Sequence, residues 1–176
     1  LHPGLEPLCI DWYPPLLLIT AYGEIEDVAG LTDILLTADA NKQILTIVLQ
    51  RRYEKGAPAE ILHGTELSQL IVTEGILRFE VRPGAQQNNG LFLDMRCLRS
   101  WLLENSRDAN VLNLFAYTCS LSVAALAGGA RSVTNVDMSK PSIKWGEHNH
   151  SLNEQDLRQV KSIPHNLFKS WGKIKQ

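Results

Sequence analysis

Two features of the sequence, 22 residues apart, have the residue types and spacing to hold a nucleoside. The first is Phe115-Ala116-Tyr117-Thr118-Cys119-Ser120, a mostly small or hydroxylated run that follows an apolar stretch and leads into a helical pattern. Backbone N–H groups at a helix N-terminus point outward and can bind a carboxylate. The second is Asp137, at the end of the next apolar stretch. An acid about 20 residues past the first strand-to-helix turn is placed to hydrogen-bond ribose hydroxyls. That spacing fits either a dinucleotide or S-adenosylmethionine. A pyrophosphate needs G-x-G-x-x-G for close backbone approach, and this loop contains no glycine. The amino and carboxyl groups of a methionine demand less. On spacing alone a plainer alternative stays open, in which Asp137 only caps the following helix.

The elements that must position these residues are expected from periodicity and caps. Val111–Phe115, Ser132–Val136 and Gln159–Ile163 read as short buried strands. Leu121–Ala127 reads as a helix capped by Thr118 or Ser120 and stopped at Gly128-Gly129. Ser139 is expected to cap a second helix running to about Leu152, with Pro141 in its first turn, where a missing N–H costs little. Strand–helix–strand–helix–strand implies a parallel sheet with right-handed crossovers, and ligands of such sheets sit at the carboxyl ends of the strands. Upstream, Asp94 is expected to cap a helix through Leu98, Trp101 and Leu102.

Pro83-Gly84 punctuates the chain, so residues 84–176 form this α/β unit and residues 1–83 a small α+β domain. The order expected there is strand, strand, helix, strand, strand, strand: Leu8–Tyr13, Leu16–Tyr22, Asp27–Ala38, Ile44–Leu49, Leu70–Thr73 and Ile76–Val81. Pro14-Pro15 splits the first two runs. Val28, Leu31, Ile34, Leu35 and Ala38 fall on one helical face. Gly56, Pro58 and Gly64 mark a polar connection.

Of the 176 residues, 44% are hydrophobic and 20% charged, as in ordinary globular proteins. No apolar run approaches the roughly 20 residues that span a bilayer, so no membrane partner is expected. Cys9, Cys97 and Cys119 are odd in number and far apart, with no C-x-x-C pair. That argues against a zinc site or disulfide framework and for a reducing, cytoplasmic setting. The net charge of −2 is unevenly spread. Residues 1–50 carry seven acids against Lys42, whereas the last nineteen carry five bases and no acid. A nucleic-acid partner would touch the second region, since phosphate contacts need Lys and Arg.

With these residues in view, the stretch Val111-Leu112-Asn113-Leu114-Phe115-Ala116-Tyr117-Thr118-Cys119-Ser120 resembles the first motif of the bacterial 23S (large-subunit) rRNA methyltransferases. Asn135-Val136-Asp137-Met138-Ser139 is similar to their second motif. Gln87-x-x-Gly90-x-Phe92-Leu93-Asp94-x-Arg96 resembles the signature ahead of the fold. Asn149 and Leu152-Asn153 match the end of the next helix, and His165–Trp171 the loop after the third strand. The resemblance implies a Rossmann-like methyltransferase fold using S-adenosyl-L-methionine, with rRNA as partner. Residues 115–120, Ser120 included, would wrap the methionine part. Asp137 would take the ribose hydroxyls, Met138 would lie against the adenine, and Ser139 follows them in the motif. Asn166 stands where the family has an aspartate that accepts the adenine amino proton. Gln87, Asp94 and Arg96 would shape the cofactor or target-base side. Cys119 replaces a glycine of many relatives and is read as packing, not as a nucleophile.

Family members continue into a fourth strand that ends in an Asp-Pro-Pro-type motif beside the target base, and no Asp-Pro-Pro occurs here. The chain is therefore expected to be the first half of the methyltransferase fold, a fragment or the ordered part of a longer protein, with no catalytic residue identified. Methyl transfer to a base, a guanine nitrogen before a cytosine carbon, is the expected reaction. The rivals are a non-catalytic cofactor- or RNA-binding module, a nicotinamide-dependent oxidoreductase, and a methyltransferase of protein or small molecules. A symmetric dimer follows from base rates alone.

Overall fold

The structure, a computed structural model, describes residues 8–67, 69–84 and 88–169. Its contacts divide into two compact units. One contains the chain through Val72 together with Val81–Asn89; the other contains Thr73–Glu80 and the chain from Gly90. The division is thus not a single cut at Pro83-Gly84, because Thr73–Glu80 groups with the second unit.

The first unit is built on a four-stranded sheet of order β1-β2-β3-β4, formed by β1 (Leu8–Tyr13), β2 (Leu16–Ala21), β3 (Thr46–Arg51) and β4 (Ala59–His63). β1 and β2 are antiparallel, with Tyr13 opposite Leu16 across Pro14-Pro15. β2 and β3 are parallel, Leu16 opposite Thr46, and α1 (Val28–Ala38) supplies the crossover. Asp27 caps it by accepting the Gly30 N–H at 2.7 Å. Leu17, Ile19, Ala21, Ile47 and Leu49 form the core under Val28, Leu31, Leu35 and Leu36 of α1. Two expectations are corrected. Ile34 is 67% exposed, because the core stripe runs through Leu36 instead. The stretch expected as a polar connection contains β4, whose residues are exposed or half-buried, so ladder bonds to β3 and not an apolar pattern make it a strand. β5 (Leu70–Glu74) and β6 (Leu77–Val81) make a two-stranded ladder.

The second unit carries the expected parallel sheet. β7 (Asn110–Leu114), β8 (Ser132–Asp137) and β9 (Val160–Pro164) lie in the order β7-β8-β9, with Leu114 opposite Val136 and Asp137 opposite Pro164. α3 (Ser120–Ala127) and α4 (Lys140–Leu152) are the crossovers, and α2 (Arg96–Asn105) precedes β7. Ala125, Ala130 and Val133 pack with Leu102, Val111, Leu126 and Val160, and Val136, Ile163 and Leu167 with Leu114. Ser139 caps α4 as expected, accepting the Ser142 N–H at 3.2 Å, with Pro141 in the first turn. Asp94 does not cap: it lies in a short 3-10 turn, Leu93–Met95, and α2 starts without a side-chain cap. Neither Thr118 nor Ser120 caps α3, because Cys119 takes the cap position in a left-handed conformation and Ser120 is the first helical residue.

A directional chain of buried polar groups ties β7, β8, α3 and α4 together. Asn135 Oδ1 accepts from Asn113 Nδ2 at 3.2 Å and from Ser122 Oγ. Gln155 Nε2 donates to the Val123 carbonyl at 2.8 Å, so its Oε1, 2.6 Å from His150 Nδ1, is the acceptor. The His150 proton therefore sits on Nδ1, and Nε2 faces Asn135 Nδ2 at 3.5 Å. Each of these linked side chains finds a complement, which is the condition for tolerating it in a core.

Candidate functional site

The loop after β7 is unusual in its backbone. Phe115, Tyr117 and Cys119 have φ of 55°, 46° and 60°, and a non-glycine left-handed residue costs of order 1–3 kcal/mol. Such a loop persists only where its surroundings over-determine it. The Ala116 N–H donates to the Val136 carbonyl at 3.0 Å and the Cys119 N–H to the Ala116 carbonyl at 2.7 Å. The Tyr117 N–H donates to Asp137 Oδ2 at 2.9 Å. Thr118 Oγ1 donates to the Gly90 carbonyl at 2.5 Å, and the Thr118 carbonyl accepts from Asn149 Nδ2 at 2.9 Å. The Tyr117 ring lies between Phe92 and Trp145, at 5.4 and 6.2 Å between centroids.

Two glycines make the close approaches possible. A Cβ on Gly146 of α4 would strike Cys119 Sγ and stand 2.8 Å from Cys119 Cβ. At Gly90, where φ is +106°, it would enter the Trp145 ring. Arg99 of α2, fully buried, clasps Glu74 with Nε and Nη2 at 2.7 and 2.6 Å and donates from Nη1 to the Phe92 carbonyl at 2.8 Å. It fixes the segment that brings Phe92 against Tyr117.

Asp137 anchors the turn after β8 as well: Oδ1 accepts the Ser139 N–H at 2.8 Å. Its carboxylate is half-buried, and each oxygen keeps a second lone pair for a ligand hydroxyl. Around it, a cleft of about 230 Å³ is lined by Phe115, Val136, Asp137, Met138, His165, Asn166, Leu167 and Phe168. The cleft is smaller than the roughly 300–1,000 Å³ typical of sites for drug-sized ligands, which suits one part of a nucleoside derivative. Phe115, Met138 and Phe168 are 67%, 72% and 77% exposed, and large apolar side chains standing open around one polar anchor mark a binding surface. Asn166 Oδ1 accepts the Phe168 N–H at 3.0 Å.

Of the residues singled out in the sequence, Phe115, Asp137, Met138 and Asn166 meet in this cleft. Ala116, Thr118 and Cys119 are buried under the loop, so it would present backbone rather than those side chains. Ser139 is engaged as the α4 cap. Asp94 and Arg96 are exposed and do not line the cleft. Gln87, Ser170 and Trp171 lie outside the described residues. Burial pushes the Cys119 thiol up to about 12, with the Asp137 and Glu147 charges adding to it, so the thiol stays protonated. Sequence reasoning assigned no role to Phe168, His165, Phe92, Gly146 or Asn149. The signal for Phe168 was an aromatic just after the third strand; for Gly146, a helix-interior glycine.

A family model of S-adenosylmethionine-dependent methyltransferases matches residues 1–176. The ribosomal RNA large subunit methyltransferase K/L of Pseudoalteromonas translucida is 37% identical over 135 residues, covering 76% of this chain and 19% of that protein. A SAM-dependent methyltransferase from Streptococcus mutans shares the fold with a TM-score of 0.82 at 26% identity, covering 96% of this chain and 45% of that one. A methyltransferase solved in complex with SAH gives a TM-score of 0.83 at 26% identity, over 96% of this chain and 44% of that one. The chain thus spans about a fifth of the length of that curated relative and under half of those solved chains. The parallel sheet β7-β8-β9 with its crossover helices is Rossmann-like, and with a family match running from end to end the chain belongs to the S-adenosylmethionine-dependent methyltransferases.

Proposed function

We propose that the carboxyl ends of β7, β8 and β9 hold S-adenosylmethionine, and that the whole protein methylates a base of large-subunit rRNA. The observation that carries the reading is the half-buried Asp137 carboxylate inside a cleft walled by Met138, Phe168 and Phe115. Asp137 takes the ribose hydroxyls with its remaining lone pairs. Met138 and Phe168 cover the adenine faces, and Asn166 Oδ1 accepts from the adenine amino group. The backbone of residues 115–120, leading into the first turn of α3 at Ser120, receives the amino and carboxyl groups of the methionine part. When bound, S-adenosylmethionine supplies an electrophilic methyl group, and the chain contributes positioning and charge placement.

The rRNA substrate rests on the K/L relative. A guanine nitrogen is the acceptor proposed; methylation of a cytosine carbon would call for a cysteine nucleophile instead. Among these residues Cys119 is buried with its thiol pushed up to about 12, Cys9 lies in the first unit and Cys97 on α2. A duplex base would have to be flipped out. A cytoplasmic location and a symmetric dimer belong to the same proposal. Among the described residues no helix is long and apolar enough to cross a membrane.

Calorimetry of the chain with S-adenosylmethionine, and competition between S-adenosylhomocysteine and NAD, test the site. Saturable S-adenosylhomocysteine binding that NAD does not displace is expected; no heat at millimolar ligand would sink the reading. Labelled methyl incorporation into naked and assembled 23S rRNA by the whole protein, mapped by mass spectrometry, tests the substrate and the atom.

A further inference from the structure

Asn149 of α4 bonds both the loop after β7 and the β6 backbone. It is fully buried. Its Nδ2 donates to the Thr118 carbonyl at 2.9 Å, and its Oδ1 accepts the Glu80 N–H at 2.9 Å. Thr118 sits between Tyr117 and Cys119, both in the left-handed region. Its other restraint is the Oγ1 bond to the Gly90 carbonyl. One turn before Asn149, Gly146 lets Cys119 lie directly on the helix. From the α4 side the loop is packed by Trp145 against Tyr117 and by Ile143 against Ala116 and Cys119, Gly146 leaves room for Cys119, and the Asn149 amide bonds the Thr118 carbonyl, whose direction sets the neighbouring N–H groups.

We infer that Asn149 is a positioning residue for the cofactor's amino-acid end: by holding the Thr118 carbonyl it keeps the residue 115–120 backbone in the shape that receives the methionine amino and carboxyl groups. This rests on the proposed S-adenosylmethionine site and goes beyond it by separating two halves of that site. The adenosine half depends on the side chains of Asp137, Met138, Asn166 and Phe168 and meets the loop at Phe115 and at the Tyr117 N–H bonded to Asp137; the Asn149 amide bonds at Thr118 instead. The amino-acid half depends on the loop that it does touch.

The chemistry of the amide provides the test. Asn149→Asp keeps an oxygen for the Glu80 N–H but loses the donor to the Thr118 carbonyl and sets a carboxylate against it. Two probes are compared by calorimetry on the whole 176-residue chain. S-adenosylhomocysteine has the amino and carboxyl groups; 5′-deoxy-5′-methylthioadenosine lacks them. The expected result is a roughly tenfold to hundredfold loss of S-adenosylhomocysteine affinity, the effect of one unsatisfied buried group. Methylthioadenosine affinity should stay within about twofold of the parent, less than half of a tenfold step in free energy. A merely structural role would weaken both probes alike, and that outcome overturns the inference, as does unchanged binding of both. If the parent chain binds neither probe, the cofactor site itself fails, which is a different result. Should N149D lose its cooperative melt, Gly146→Ala displaces the same loop from the same helix without touching the Glu80 N–H. It must show the same selective loss, and equal loss of both probes or no loss overturns the inference.

Discussion

Asp137 Oδ2 accepts the backbone N–H of Tyr117 at 2.9 Å. A carboxylate at the end of one strand thereby holds a left-handed residue, φ 46°, in the loop after the neighbouring strand. Its second oxygen accepts the Ser139 N–H, so the side chain assigned to the ribose is also the tie between two loops. Asp137→Asn leaves one acceptor oxygen for two N–H donors. The expected cost is about 1–3 kcal/mol of stability, seen as a lower urea midpoint with unchanged slope. S-adenosylhomocysteine affinity should fall by at least about tenfold. Full affinity in a destabilised variant would separate the tie from the ribose role and refute the latter.

Gly146→Ala sets two effects against each other. Alanine is the better helix former by about 1 kcal/mol. Its Cβ, however, would collide with Cys119 Sγ and sit 3.2 Å from the Thr118 carbonyl carbon, and overpacking of that kind costs about 1–3 kcal/mol. Net destabilisation is expected by thermal melting. Adding Cys119→Gly should restore most of it, since the thiol is removed and glycine accepts a φ of 60° without strain. Additive losses in the double variant would show that the two residues do not meet.

His150 makes stability depend on pH. Burial lowers its pKa below the ordinary 6.5, opposed by the Gln155 hydrogen bond and the Glu147 charge. The unfolded chain therefore takes up this proton first as pH falls. The contribution is fully present above about 6.5 and is lost as pH drops from there through the folded-state value. Denaturation at pH 7.5, 6.5 and 5.5 should show declining stability, and His150→Gln should flatten that window. Asp39 and Asp156 are also held below the usual carboxylate range, by the Ile44 backbone N–H and by the Arg158 side chain. Their losses come at more acid pH and do not confuse the reading.

The three thiols should react in a fixed order. Cys97 is exposed on α2. Cys9 is exposed too, but partial burial and then the Asp11 charge raise its pKa. Cys119 is buried with its thiol pushed up to about 12. Reactivity follows thiolate fraction and access. Iodoacetamide at pH 8, followed by peptide mapping, should label Cys97 first, Cys9 more slowly and Cys119 only after unfolding. Early labelling of Cys119 would mean that the loop opens off α4 in solution.

Local rules carried far in this chain because they act within one turn of backbone. The strand–helix alternation from residue 110, the Ser139 cap with Pro141 behind it, the Gly128-Gly129 stop and the distance from Phe115 to Asp137 depend only on period, caps and rise per residue, and the sequence alone determined them. Met138 and Asn166 entered through family resemblance, not spacing. Tertiary structure decided what depends on which distant group arrives. β4 carries no apolar stripe and becomes a strand because β3 offers it a ladder. Thr118, a plausible helix cap, spends its hydroxyl on the Gly90 carbonyl 28 residues away. Asp94 has the right residue type for a cap, yet the backbone enters a 3-10 turn there. Phe168 lines the cleft only because β9 lies beside β8. Asn149 meets Thr118 only because α4 folds back over the loop. A sequence shows which donors and acceptors a residue owns; the partner is chosen by the packing of elements tens of residues apart, and no local propensity encodes that choice.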